Sequence, residues 1–96
     1  MTPKNIGEPD FLAKKISPTP QISLDLHGFS VLAAIDETES FLEKCRAGGL
    51  FHARIITGRG TGALFSAILN LLKEKKAGGE IQNISPKKGF FLVILR

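Results

Sequence analysis

The residues able to do chemistry in this chain fall into two short stretches. The first is Leu24-Asp25-Leu26-His27-Gly28. An imidazole can take up or release a proton near neutral pH, and a carboxylate beside it can orient the ring or hold a divalent cation such as Mg or Mn. On an extended strand, residues two apart share a face, so Asp25 and His27 should stand together, with Leu24 and Leu26 on the other side. An Asp-x-His at a strand end also serves to cap a loop or satisfy backbone amides, and residue types alone leave both roles open. The second stretch is Thr57-Gly58-Arg59-Gly60-Thr61-Gly62. Alternating glycines let backbone N–H groups close on an anion. A helix opening just after them offers unpaired amides and positive partial charge, and Arg59 could grip a phosphate with two parallel hydrogen bonds. Such glycines also make ordinary turns. The pattern is neither a nucleoside-triphosphate loop, which needs Gly-Lys-Ser/Thr, nor a dinucleotide fingerprint.

The elements that must position these stretches can be read from periodicity. Ile22, Leu24 and Leu26 alternate with Gln21, Ser23 and Asp25, which predicts a half-buried strand over 21–26 ended by His27-Gly28. Ser30 is a candidate N-cap. From Val31 the period becomes helical: Val31, Ile35, Thr38, Leu42 and Cys45 share a side, and Asp36, Glu37, Glu43 and Lys44 lie mostly opposite. Asp36 and Glu37 are expected near the helix start, where the dipole favours negative charge. Gly48-Gly49 stops this helix. A second strand is predicted over 51–57 and a second helix over 61–76, with Leu64, Phe65, Ile68, Leu69 and Leu72 as its apolar stripe. Lys73, Lys75 and Lys76 close its last turns, a sign the dipole prefers. Residues 80–85 read as an edge strand, Pro86-Lys87-Lys88-Gly89 as a turn, and Phe90 to Leu95 as a strand covered on both faces. The strand–helix–strand spacing fits a right-handed βαβ unit, so the first two strands should run parallel and end on one edge. That edge would carry His27-Gly28 and Thr57-Gly58, and ligands of open sheets bind outside such strand ends. His52 starts the second strand at the opposite edge and is read as a surface residue.

The 96 residues make one domain behind an arm. Residues 1–20 hold four of the five prolines with lysines between them, and are read as an extended arm whose Phe11, Leu12 and Ile16 could lie on an apolar patch. Net charge is +4, split into −2 over residues 1–48 and +6 over 49–96. A basic half points to a polyanionic partner. Trp and Tyr are absent, so an aromatic contact to a base would have to come from Phe or His. The single cysteine, Cys45, excludes an internal disulfide framework and a multi-cysteine zinc site, and it falls on a predicted buried face. No apolar run is long enough to span a bilayer and the N-terminus lacks the apolar run of a signal peptide, so a cytoplasmic protein is the expectation; a monomer is expected rather than an oligomer.

Leu24-Asp25-Leu26-His27-Gly28, then a helix, then Ile55-Ile56-Thr57-Gly58-Arg59-Gly60-Thr61-Gly62-Ala63-Leu64 resembles the small MutS-related (Smr) domain, over about Ile22 to Leu95. The short chain resembles the stand-alone form of that family. The resemblance implies an α/β fold, an α+β two-layer sandwich in the order β-α-β-α-β-β with a mixed four-stranded sheet, similar to the C-terminal domain of bacterial translation initiation factor three. It implies nucleic acid as partner, DNA or RNA, with DNA-nicking or RNA-cleaving endonuclease activity. The family's Asp-x-His positions fall on Asp25 and His27, and its Gly-Lys/Arg-Gly loop on Gly58, Arg59 and Gly60. Where many bacterial members have His this chain has Thr57, similar to several eukaryotic members. Lys87-Lys88-Gly89 stands where the family often has Gly-Gly-x-Gly.

The expected catalytic residues are therefore Asp25, His27 and Arg59. The expected phosphate-binding residues are Gly28, Thr57, Gly58, Arg59, Gly60, Thr61, Gly62, Lys87 and Lys88, with Lys73, Lys87 and Lys88 positioning the nucleic-acid backbone. Asp25 is the one candidate for holding a divalent metal. The rival expectation is a non-catalytic nucleic-acid-binding module, or a protein-interaction module of a DNA repair or translation quality-control assembly with the arm as its contact.

Overall fold

Alternation of apolar and polar residues makes β1 (Ile22–Asp25), a four-residue strand that pairs in parallel with β2 (His52–Ile56). The computed structural model describes residues 22–60 and 62–96; the expectations for the 1–20 arm, Gln21 and Thr61 lie outside the described residues. Between the two strands runs α1 (Val31–Ala47). Its N-cap is Ser30, whose hydroxyl accepts the Ala33 amide at 3.2 Å. It ends at Gly48, whose amide donates to the Lys44 carbonyl. A second helix, α2 (Ala63–Ala77), leads to β3 (Ile81–Pro86) and β4 (Phe90–Leu95), which close the fold as an antiparallel hairpin.

The sheet order is β1-β2-β4-β3, with β1 and β2 parallel and the remaining pairs antiparallel. Leu24 stands beside Ile55, and Ile55 beside Phe91. Both helices pack on one face, where Leu26, Ala53, Ile55, Phe91, Val93 and Leu95 meet Ala34, Phe41, Leu42, Ile68 and Leu72. This is the expected two-layer architecture.

Four details differ from the sequence reading. Val31 is exposed at the helix start, and the buried face of α1 is carried by Ala34, Thr38, Phe41, Leu42 and Cys45. Asp36 and Glu37 sit beyond the first turn of α1, which contains no acid, so the dipole, which acts within that turn, does little for them. Central β4 buries Phe91, Val93 and Leu95 fully, but Phe90, Leu92 and Ile94 on the other face are only half-buried. Pro86 closes edge strand β3 opposite Phe91 rather than opening the turn, a position where a missing N–H is tolerated.

The end of the molecule away from the strand termini is tied by charge. Glu80 accepts from Arg46 at 2.8 Å, and Lys75 lies 3.5 Å from Glu39 and 3.9 Å from Glu80. Lys75 is thus an ion-pair partner rather than a purely solvated helix-end lysine. These groups are partly exposed, so each pair is worth about 0–1 kcal/mol. Cys45 is buried in the core and burial pushes its thiol pKa up. No helix among the described residues is long and apolar enough to cross a membrane.

The core is small, so single truncations at its centre should be costly. Ile55→Ala, at a fully buried position in β2, is expected to lower stability by about 2–5 kcal/mol, read as a drop in the urea midpoint.

Candidate functional site

Parallel pairing of β1 and β2 brings their carboxyl ends to one rim. Beyond β1 the chain turns at once. The Phe29 amide donates to the Leu26 carbonyl at 3.0 Å, with Gly28 at φ 82° in the second central position. That is the geometry of a type II turn, which needs a residue tolerant of positive φ there. His27 occupies the first central position and projects into solvent, its side chain 74% exposed.

Asp25 holds His27 at two points. Its Oδ1 accepts the His27 backbone amide at 3.1 Å and lies 2.7 Å from Nδ1 of the ring. An ionised carboxylate only accepts, so the proton on the ring belongs at Nδ1 and Nε2 is left as the acceptor. The ring hydrogen bond, then the backbone one, holds the Asp25 carboxyl below the usual carboxylate range. The expected pairing of Asp25 with His27 is therefore present in space.

Beyond β2 the chain is fixed by a residue far along the sequence. The carbonyl of Gly89 accepts the amides of both Thr57 and Gly58, at 2.8 and 3.0 Å. The Thr57 hydroxyl lies 3.3 Å from the same carbonyl and is buried. Two expected phosphate-binding residues make internal contacts here. The Gly58 amide is spent inside the protein, and the Thr57 hydroxyl faces the Gly89 carbonyl while Thr57 also lines the cleft described next. These bonds draw the β3–β4 turn against the glycine loop. Gly89 has φ 79°, and a Cβ built on it would stand 3.3 Å from the Gly58 carbonyl oxygen. Gly58 in turn backs onto His27, with 3.3 Å between a Cβ built on it and the His27 Cβ.

These contacts enclose a cleft of about 550 Å³. His27 and Gly28 form one side, and Thr57, Gly58, Arg59, Gly60 and Gly62 the next. Lys87 and Lys88 enter from the β3–β4 turn, and Leu64, Phe65 and Ser66 from the first turn of α2. Gly62 precedes that turn at φ 94°, and no side chain caps the helix end. Among the described residues of the wall there is no carboxylate, while Arg59, Lys87 and Lys88 supply three cations. The described wall is therefore positively charged.

Asp25 stands behind His27 and is not part of the wall, and neither is Lys73. His52 is half-buried at the start of β2, on the side away from the cleft. Thr61 lies outside the described residues. The wall contributions of Leu64, Phe65 and Ser66 were not expected. Their place directly after the glycine loop was the available signal, since the first helical turn must share the loop's rim. No group of three or more His, Cys, Asp or Glu among the described residues could hold a metal ion. Asp25, already bonded twice to His27, is not a built divalent site by itself.

Comparison with known proteins places this geometry in context. A family model described as the Smr domain matches residues 24–96. The chain is 38% identical over 66 residues to Endonuclease MutS2 of Thermus thermophilus, covering 69% of the chain and 9% of that protein. It is 39% identical over 64 residues to Endonuclease MutS2 of Caldanaerobacter subterraneus subsp. tengcongensis, covering 67% of the chain and 8% of that protein. The chain thus spans under a tenth of the length of these relatives. Among solved structures, the crystal structure of the Smr domain of Thermus thermophilus MutS2 matches with TM-score 0.71 at 34% identity, covering 77% of this chain and 96% of that one. The solution structure of the B3BP Smr domain matches with TM-score 0.62 at 27% identity, covering 80% of each chain.

Two measurements test the site's construction. The pKa of Asp25 is lowered by folding, so its contribution to stability is complete above the ordinary Asp pKa and is lost as pH falls through the lowered value. An NMR titration of the Asp25 carboxyl should show a midpoint below that of a free Asp, moving part of the way back in His27→Ala. Gly89→Ala should cost about 1–2 kcal/mol through its positive φ and its contact with Gly58. Hydrogen exchange of the Thr57 and Gly58 amides should accelerate in that variant.

Proposed function

This chain belongs to the Smr domain family, and from that premise we propose that its rim cleft binds and cleaves a phosphodiester of nucleic acid. The observation that carries the reading is an imidazole with a fixed tautomer at the mouth of a cleft walled by three cations and no described carboxylate. Two of the relatives bear the name endonuclease, which supports the same chemistry for this chain.

In the proposed reaction, Nε2 of His27 accepts the proton of the attacking hydroxyl, from water or from a ribose. Asp25 keeps Nδ1 protonated and stabilises the imidazolium that forms. Attack on phosphorus gathers negative charge on the non-bridging oxygens. Arg59, with its forked guanidinium, faces that charge, and Lys87 and Lys88 hold the flanking phosphates. The P–O bond to the leaving oxygen then breaks, and that oxygen takes up the proton from the His27 imidazolium, which restores the neutral ring.

A second reading, binding without cleavage, is favoured by one feature. The described wall contains a single imidazole, and the neighbouring candidate position, Thr57, is buried against Gly89. The two readings separate in one experiment. Supercoiled plasmid and structured RNA are incubated with wild type, His27→Ala and Arg59→Ala. Cleavage requires that His27→Ala lose about 10²–10⁴-fold in rate while keeping its affinity, and that Arg59→Ala bind more weakly. Cutting that is equal in wild type and His27→Ala rules out the mechanism, and tight binding with no cutting by any form selects the second reading. Three cationic contacts should also give a log–log salt slope of about −2 to −3.

A further inference from the structure

The cleft is larger than a phosphate needs, and one wall is of the wrong chemistry for an anion. Its volume of about 550 Å³ lies in the range, roughly 300–1,000 Å³, that takes whole organic ligands. A phosphate held by Arg59 would leave most of that space unfilled. Beside the cations, the wall also contains the apolar side chains of Leu64 and Phe65. A helix start devoted only to anion binding has no need of these side chains at its rim.

Phe65 is also held in place. Its ring stacks on that of Phe91, centroids 4.4 Å apart and planes inclined by 22°. Phe91 is fully buried at the centre of the sheet. The orientation of Phe65 is therefore set by the core before any ligand arrives. A pre-oriented ring loses little freedom when a flat partner lies on it, which is the condition for a useful stacking platform. Trp and Tyr are absent from the chain, so stacking of this kind falls to Phe or His, and Phe65 is the cleft ring that the core holds.

The ligand that offers a flat apolar face one bond system away from a phosphate is a nucleotide. We propose that Phe65 is a base-stacking residue, and that the cleft takes an unpaired base together with its adjoining phosphate. This rests on the phosphodiester reading above and goes beyond it by naming the form of the substrate. Bases inside a duplex have both faces covered by neighbours, so only a single-stranded, bulged or extruded base can reach Phe65. The Thr57 hydroxyl is turned onto Gly89, which leaves Ser66 as the exposed hydroxyl in the described wall. Reading of base identity should be weak, and stacking is tolerant of sequence because every base has a π face. The same chemistry serves DNA and RNA.

The test uses the full chain and eight-nucleotide single strands of equal charge, one carrying bases and one wholly abasic, each as deoxyribo and ribo forms, at two salt concentrations. Wild type should bind the strand with bases about five- to hundredfold more tightly than the abasic strand. Phe65→Leu should abolish most of that difference, and Phe65→Tyr should retain it. The sugar form bound more tightly identifies which nucleic acid supplies the base. Equal affinity of wild type for the two strands overturns the platform while leaving phosphate binding intact, and this comparison does not depend on any variant folding. Retention of the full difference in a folded Phe65→Leu overturns it equally. Absence of salt-sensitive binding to either strand overturns the parent reading as well.

Discussion

Much of this domain's working end depends on one carbonyl. Gly89 accepts two successive amides from the end of β2, so a hairpin turn 31 and 32 residues further along the chain is fastened to the glycine loop. Without that fastening, Lys87 and Lys88 would ride on a free turn, and the cleft would be open on the side they close. The bond is internal to the protein, so it costs the site a donor. Of the glycine-loop amides that the sequence offers to an anion, the one on Gly58 is already committed. The cleft relies on cationic side chains to a greater degree than a loop built wholly of free amides would.

The second fixed element is the carboxylate behind the imidazole. A histidine whose side chain is 74% exposed would ordinarily sample several rotamers and both neutral tautomers. Asp25 restricts both, by bonding the ring nitrogen and the backbone of the same residue. The arrangement needs the two residues on one face of a strand that then ends abruptly, which the Leu26–Phe29 turn supplies. Alternation, turn chemistry and side-chain hydrogen bonding thus agree at one place, a consistency expected where a local structure is strongly specified.

What the sequence made legible was whatever is encoded locally. Two-residue alternation located β1, Ser30 marked the start of α1, and paired glycines marked the ends of both helices. The pairing of Asp25 with His27 followed from strand geometry alone. The long-range facts were not legible. Nothing near Thr57 reveals that its hydroxyl will face a carbonyl 32 positions away. Ala34 is small and contributes little to a hydrophobic pattern, yet it is wholly buried where α1 packs on the sheet. Val31 fits the apolar period but lies at the helix tip, where it remains exposed. Phe65 matched the core stripe and does pack on Phe91, so periodicity described one of its surfaces and missed the other.

The lone thiol of Cys45 gives the fold an internal clock. It sits at 1% exposure inside α1's buried face, and burial keeps it in the protonated, unreactive form. A disulfide reagent in the surrounding solution can attack it only after the helix layer has lifted from the sheet. The rate of its modification at high reagent concentration then reports how often the whole domain opens, with no label or substitution needed. Because the proposed phosphate site lies at the strand ends, ligands bound there would slow that opening without ever touching the sulfur.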